Sequence, residues 1–199
     1  MVVRILRAHD RRPQPWQNGL GSTSEILLWP TGSTHLTFDW RVSIAEMTVD
    51  AAFSSLPGID RTLVALGGDG IRLTIDGRVT ELAEFEAVSF AGECTVSGGP
   101  RGAATRDLNL MVRRGTKSAK LRVFTAPVVH ELDADGSEVI LAVIGDGSGR
   151  LICEDAEPTR LGAGDGVLLR GGDMHGRDRV RLETSGALIV VTVSGVSQN

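Results

Sequence analysis

The sequence has no tyrosine, only two cysteines, no long basic tract and no apolar run of membrane length. Each absence sets aside a class of function. A spanning helix needs about 18 or more consecutive apolar residues, and no segment reaches that. The start, MVVRILRAHD, carries charges at positions 4, 7 and 10, which interrupt the apolar stretch of a secretory leader. A cytoplasmic protein without a membrane partner is the expectation. Cys94 and Cys153 lie far apart, and neither belongs to a Cys-x-x-Cys pair. They read as half-buried free thiols in a reducing compartment. Lys and Arg number 21 against 25 Asp and Glu, a net charge of −4. The basic pairs Arg11–Arg12 and Arg113–Arg114 are too short to track a phosphate backbone, so nucleic acid is not an expected partner. Nucleophilic chemistry lacks its marks as well: there is no G-x-S-x-G elbow and no evident Cys/His pairing. The glycines of GGDG and GDGSG precede no helical pattern and read as hairpin turns rather than phosphate loops.

What remains is a chain of short alternating runs bounded by glycine, 25 of them in 199 residues. In LTFDWRVSIAE, Leu36, Phe38, Trp40, Val42 and Ile44 share one face and Thr37, Asp39, Arg41 and Ser43 the other. That period of two predicts a long strand with one buried face. RTLVAL, IRLTIDGRVTEL (with a DG turn), DLNLMVRR, EVILAVIG and GALIVVTV are further strand candidates. The class predicted is all-β, a sandwich or barrel.

The pattern repeats. TLVALGGDG (62–70) matches VILAVIGDG (139–147), and LAEFEAVSFAGE (82–93) matches LGAGDGVLLRGG (161–172), at offsets of 77 and 79 residues. Two matches in the same order at nearly one offset predict two homologous β modules, residues 1–115 and 116–199. The polar stretch GTKSAK, residues 115–120, reads as their connection.

The repeat unit, an apolar strand, a GDG turn, a hairpin and then G-D-x-V-x-x-x-x-G, resembles the cupin pattern. Cupins are small jelly-roll-type barrels, and two in one chain make a bicupin. In the second copy Gly164, Gly172 and His175 follow the second cupin motif, with Arg170 in place of its proline. Glu138 stands seven residues before Gly145, but no His-x-His precedes it, and His130 is out of register. Glu138 and His175 are two ligands where a metal needs three or four. In the first copy, the position seven residues before Gly68 holds Arg61. A guanidinium cannot hold a divalent cation, but it grips a carboxylate through two parallel hydrogen bonds. No metal and no cofactor are expected.

WQNGLGSTSEI (16–26), FDWRVSIAEM (38–47), FSSLPGIDRTLVALGGDG (53–70) and DLNLMVRR (107–114) are similar to the HutD/Ves family of bacterial bicupins, over residues 4 to 190. Members commonly read W-K-N-G-G-G where this chain has Gln17 and Leu20, and D-F-N where it has Leu108. The resemblance implies a protein that accompanies histidine degradation and limits its flux by binding a small metabolite. Formiminoglutamate and urocanate are the natural candidates. Because cupins often pair through their sheets, it also allows a homodimer.

The candidate site follows from the residues. Alternation in DLNLMVRR puts Asp107, Asn109, Met111 and Arg113 on one face, either a solvated outer side or a barrel interior fit for a small molecule. Arg61 opens an apolar strand and needs a partner, either an anionic ligand or a structural ion pair to Asp60 or Asp107. Arg41 lies opposite the Trp40 face and lines a cavity or faces water. In WQNGLG, Trp16 offers a flat wall, Asn18 a donor and an acceptor, and Gly19 a close backbone approach, with Thr23 as the preferred hydroxyl. The alternative there is a hydrophobic anchor and a tight turn. The expected function is a non-catalytic, metal-free protein that binds a small anionic metabolite in its first module. A cupin-type isomerase or hydrolase with Asp107 or Glu25 as base, and a protein-interaction module without a ligand, stand beside it.

Overall fold

A computed structural model describes residues 3–125, 127–132, 139–154, 156–170 and 180–195. The reading of Glu138 and His175 as incomplete metal ligands therefore falls outside the described residues. The first strands are β1 (Val3–Leu6), β2 (Gln14–Pro15), β3 (Gly21–Trp29), β4 (Trp40–Met47), β5 (Ala51–Ala52) and β6 (Ile59–Leu66). Then come β7 (Ile71–Ile75), β8 (Arg78–Leu82), β9 (Ala87–Ala91), β10 (Val96–Pro100), β11 (Thr105–Arg113) and β12 (Lys117–Phe124). The rest are β13 (Val128–Leu132), β14 (Val139–Ile144), β15 (Ser148–Cys153), β16 (Thr159–Gly162), β17 (Gly166–Arg170), β18 (Val180–Thr184) and β19 (Leu188–Gly195). Among the described residues the only helical element is a 3-10 turn at Ala8–Asp10, and no helix is long and apolar enough to cross a membrane.

The chain divides into two units, Arg11–Lys117 and the first ten residues with Ser118 onward. In the first unit one sheet runs β2-β3-β4-β11-β6-β9 and the other β5-β10-β7-β8. In the second the sheets run β1-β17-β14-β19-β12 and β13-β18-β15-β16. Adding eight to each strand number of β4-β11-β6-β9 and β5-β10-β7-β8 gives the second unit's order. The sequence repeat is thus a repeat of topology. The first ten residues depart from the expected module: Val3–Leu6 pairs with Gly166–Arg170 and completes the second unit's sheet.

Local chemistry explains the turns. Asp76 and Gly77 join β7 to β8 with φ of 47° and 80°. Two positive φ values define the turn whose twist suits a two-residue hairpin, and Asp-Gly is a preferred pair for it. Strand alternation then supplies the cores. In the first unit Met47, Leu63 and Ala65 of one sheet pack with Ile71, Leu73, Leu82 and Val96 of the other. In the second, Ile140, Ala142, Ile144, Val167, Leu169, Leu188 and Val190 pack with Leu132, Leu151, Leu161, Val180 and Leu182. Each fully buried Leu, Ile or Val contributes about 1.5–3 kcal/mol.

The run LTFDWRVSIAE forms a strand only from Trp40 onward. Thr34 to Thr37 turn instead, with the Thr37 amide bonded to the Thr34 carbonyl, and Leu36 is exposed. The face opposite Trp40 is not a plain solvent face either, since Ser43 is buried.

Candidate ligand-binding site

The strand β11 forms the floor of a cavity of about 610 Å³ inside the first unit, a volume ordinary for a small-molecule site. Its pairing with β4 and β6 sets three rows: Arg41–Met111–Arg61, Ser43–Asn109–Leu63 and Ala45–Asp107–Ala65. Strands about 4.8 Å apart place the two arginine backbones about 10 Å from each other, on either side of Met111. Asp107, Asn109, Met111, Arg41, Arg61, Ser43 and Ala45 all line this cavity, as do Trp16, Asn18 and Thr23. A β-bulge in β3, between Glu25 and Leu27, shifts the register against β4. It brings Thr23 opposite Ala45 and Leu28 opposite Arg41.

Arg61 is held rather than free. Its guanidinium carbon lies 5.1 Å from the Phe53 ring centre and 5.2 Å from that of Phe90, a cation–π clamp that fixes its plane. Its Nε donates to Asn109 Oδ1 at 3.3 Å. Asn109 Nδ2 in turn donates to Asp107 Oδ1 at 3.2 Å. The structural ion pair considered for Arg61 is absent among the described residues, for Asp60 pairs with Arg114 at 2.8 Å. Burial pulls the Arg61 guanidinium down to about 10, with Asp107 holding it up and Arg41 pressing it further down. Arg41 Nε stands 3.4 Å from Glu25 Oε2, too loosely aligned for a hydrogen bond.

Asp107 is fully buried, and its Oδ2 has no hydrogen-bond partner. Burial pushes its carboxyl up to about 7, against the Asn109 hydrogen bond and the Arg61 charge. A buried carboxyl oxygen without a donor is uncommon and needs an explanation.

The WQNGLG segment is a tight turn closed by Trp16 N to Gly21 O at 2.9 Å and Gly19 N to Trp16 O at 3.0 Å. Gly19 is there for its φ of 71°; it does not line the cavity. Asn18 Oδ1 accepts from the Leu20 amide at 3.1 Å, which leaves the Asn18 amide donor for a ligand. Trp16 Nε1 donates to Thr23 Oγ1 at 2.8 Å. A Cβ on Gly21 would collide with the Glu46 carbonyl oxygen and stand 2.9 Å from the Trp16 ring, so that glycine lets the indole lie down.

Arg113 is placed elsewhere. It projects past the end of β4, donates to the Phe38 and Leu36 carbonyls at 2.9 and 2.7 Å, and covers the Phe38 ring. It does not line the cavity. Gln17, noted from sequence only as a departure from W-K-N-G-G-G, does, and so do His35, Phe53, Ser54 and Leu56, for which the sequence carried no signal. Ser43, also in the lining, carried one by alternating with Arg41.

A divalent metal does not fit this cavity. Arg61 stands at the ligand position, and no group of three His, Cys, Asp or Glu is suitably placed among the described residues.

Two modules of one strand order, each a pair of sheets around its own core, define a bicupin. A cupin 2 conserved barrel protein from Leptotrichia buccalis shares this fold at TM-score 0.56 and 11% identity, covering 96% of each chain. The HutD family model matches residues 8–190, and the chain belongs to the HutD family. An uncharacterised 21.2 kDa protein from the hutC 3' region of Pseudomonas putida is 35% identical over 172 residues, 86% of this chain and 88% of its own. Protein Ves of Citrobacter koseri is 34% identical over 119 residues, 57% of this chain and 61% of its own. A conserved protein of unknown function from Pseudomonas aeruginosa PAO1 superposes with TM-score 0.83 at 28% identity, covering 98% of this chain and all of that one. HutD from Pseudomonas fluorescens SBW25 does so with TM-score 0.80 at 25% identity, covering 98% and 99%.

Proposed function

We propose that this protein is a metal-free binder of a small anionic metabolite and that it regulates histidine catabolism from the cytoplasm without turning its ligand over. The observation that carries this is the row Arg41–Met111–Arg61 facing a 610 Å³ cavity. Two guanidiniums on a largely preformed surface suit a carboxylate: among the described residues Arg61 has no ion pair, and Arg41 has only the 3.4 Å contact to the exposed Glu25. Asn18 and Asn109 supply orientation, and Trp16 and Met111 supply apolar contact. The printed names of its relatives, HutD and a hutC-region protein, support the link to histidine utilisation. Formiminoglutamate and urocanate are the acids of that chemistry to test.

The test is thermal unfolding with formiminoglutamate, urocanate, histidine, glutamate and phosphate, each with and without chelator. A ligand at 100 times its Kd adds about 2.7 kcal/mol, which shifts a chain of this size by about 5–10 °C. The expected result is a shift with one pathway acid that chelator leaves unchanged. No shift with any compound would overturn the proposal in favour of an interaction module.

A second reading, a cupin-type isomerase or hydrolase acting on such an acid, draws support from the partnerless Oδ2 of Asp107 and its pKa near 7. Such a base belongs near the working pH. Turnover of the bound acid, followed by NMR, separates the two.

A further inference from the structure

Asp107 is placed to act on the site by its charge and not by contact. It is fully buried, and its Oδ2 is inaccessible and without a hydrogen-bond partner, so a ligand in the cavity does not reach that oxygen. Among the described residues its one side-chain donor is Asn109 Nδ2 at 3.2 Å, and Asn109 Oδ1 accepts in turn from Arg61 Nε at 3.3 Å. One amide therefore links the carboxyl to the guanidinium, with no ion pair between them. Across the sheet stand Ala45 on β4 and Ala65 on β6, which neither donate nor carry charge. Thr105, two residues back on β11, gives its hydroxyl to the Gly67 carbonyl at 3.0 Å. The opposite sheet presents Ile71, Leu73, Leu82 and Val96. A buried carboxyl supported by a single neutral donor holds its charge poorly, in line with the rise to about 7.

We infer that Asp107 makes anion binding proton-linked: protonated, it leaves the Arg41–Arg61 row its full positive charge, and ionised, it cancels part of that charge and weakens the hold on an anion. The inference rests on the anion-binding reading and adds its regulation. The effect is reciprocal, for a bound carboxylate must hold the proton on Asp107 by the same factor by which the proton holds the carboxylate. Loading is favoured below about pH 7 and is lost as pH rises through that value. The other charged groups of the site are Arg61 on β6, Arg41 on β4 and, 3.4 Å from Arg41, Glu25 on β3. His35, in the turn before β4, also lines the cavity. Histidine is a side chain whose charge changes near neutrality, so its part has to be separated from that of Asp107.

The experiment is calorimetric titration of the full-length chain with propanoate and with benzoate between about pH 5.5 and 8.5, where a simple carboxylate stays ionised. Each titration is run in two buffers of different ionisation enthalpy, on wild type, Asp107→Asn and His35→Gln. Wild type is expected to bind about tenfold tighter at the acid end than at the alkaline end, with net proton uptake near pH 7. Asp107→Asn should keep the acid-end affinity throughout and take up no proton there, while His35→Gln should keep the wild-type profile. A flat wild-type profile without proton uptake would overturn the inference and leave the anion site standing. A pH dependence that survives in Asp107→Asn and disappears in His35→Gln would overturn it as well, by assigning the proton to the imidazole. Binding of neither acid at any pH would remove the anion-binding reading and the inference together. The substitution keeps an oxygen to accept from Asn109 and removes the buried charge, and wild type alone already decides whether binding takes up a proton.

Discussion

Where Asp107 stands beside Ala65 in the first unit, Val190 stands beside Ala142 in the second. By the same register Asn109 beside Leu63 answers to Thr192 beside Ile140. Among the described residues, the cluster between the second unit's sheets gathers twelve buried apolar side chains; the corresponding cluster of the first gathers seven, with Phe38, Ile59 and Met111 in a separate cluster beside the cavity. One strand order thus supports a packed interior and a hollow polar one. The lesson is that a jelly-roll module tolerates a site when its twin needs none: burying a carboxyl costs stability, and an apolar core of Leu, Ile and Val offsets such costs. Hydrogen bonding to Asn109 and the nearby Arg61 lower the cost within the first unit.

The largest test transplants the carboxyl alone. Val190→Asp puts it among Ala142, Ile144 and Leu188 with no Asn or Arg equivalent, and should cost about 3–5 kcal/mol in urea unfolding. A loss below about 1 kcal/mol would mean that the second interior is not the dry core described. Next is the pH dependence of Asp107. Its folded pKa near 7 lies above the usual aspartate value, so the protonated form favours folding and stability is lost as pH rises from about 4 through 7. Asp107→Asn removes that loss. It should gain on wild type by about 2–4 kcal/mol between pH 4.5 and 8, and parallel stability curves would refute the burial argument. Third, Arg61→Ala should weaken binding of the pathway acid by about 30- to 100-fold. Arg61→Lys should not restore it, because an ammonium neither forks nor stacks between Phe53 and Phe90. The smallest effect belongs to Arg113→Ala, about 1 kcal/mol of stability from the two freed carbonyls. Its affinity for the acid should stay within threefold of wild type, and a loss comparable to that of Arg61→Ala would place Arg113 in the site after all.

Much of this was legible in the sequence, and the gaps have physical causes. Period-two runs and the 77-residue offset point to the strands and their duplication, because side-chain alternation and repeated turns are local. Alternation along DLNLMVRR likewise puts Asp107, Asn109 and Met111 on one face. What alternation cannot supply is cross-strand register. Whether Arg41 lies level with Arg61 depends on which residues of β4, β11 and β6 face one another, and the bulge between Glu25 and Leu27 alters parity within β3. Arg113 shares the face of Met111 but outruns β4, so it meets the carbonyls of Leu36 and Phe38 instead. Phe53 and Phe90 reach Arg61 from distant parts of the chain, and nothing near Arg61 in sequence announces them.

The pairing of β1 with β17 also sets an order of events during synthesis. Val3–Leu6 leaves the ribosome long before Gly166–Arg170 exists, and the whole of Arg11–Lys117 is made between them. The unit that holds the cavity is contiguous and can fold as soon as it emerges. The other must keep its earliest strand unpaired until nearly the last has been translated. Val3–Leu6 is thus made before the contiguous unit and finds its place after it.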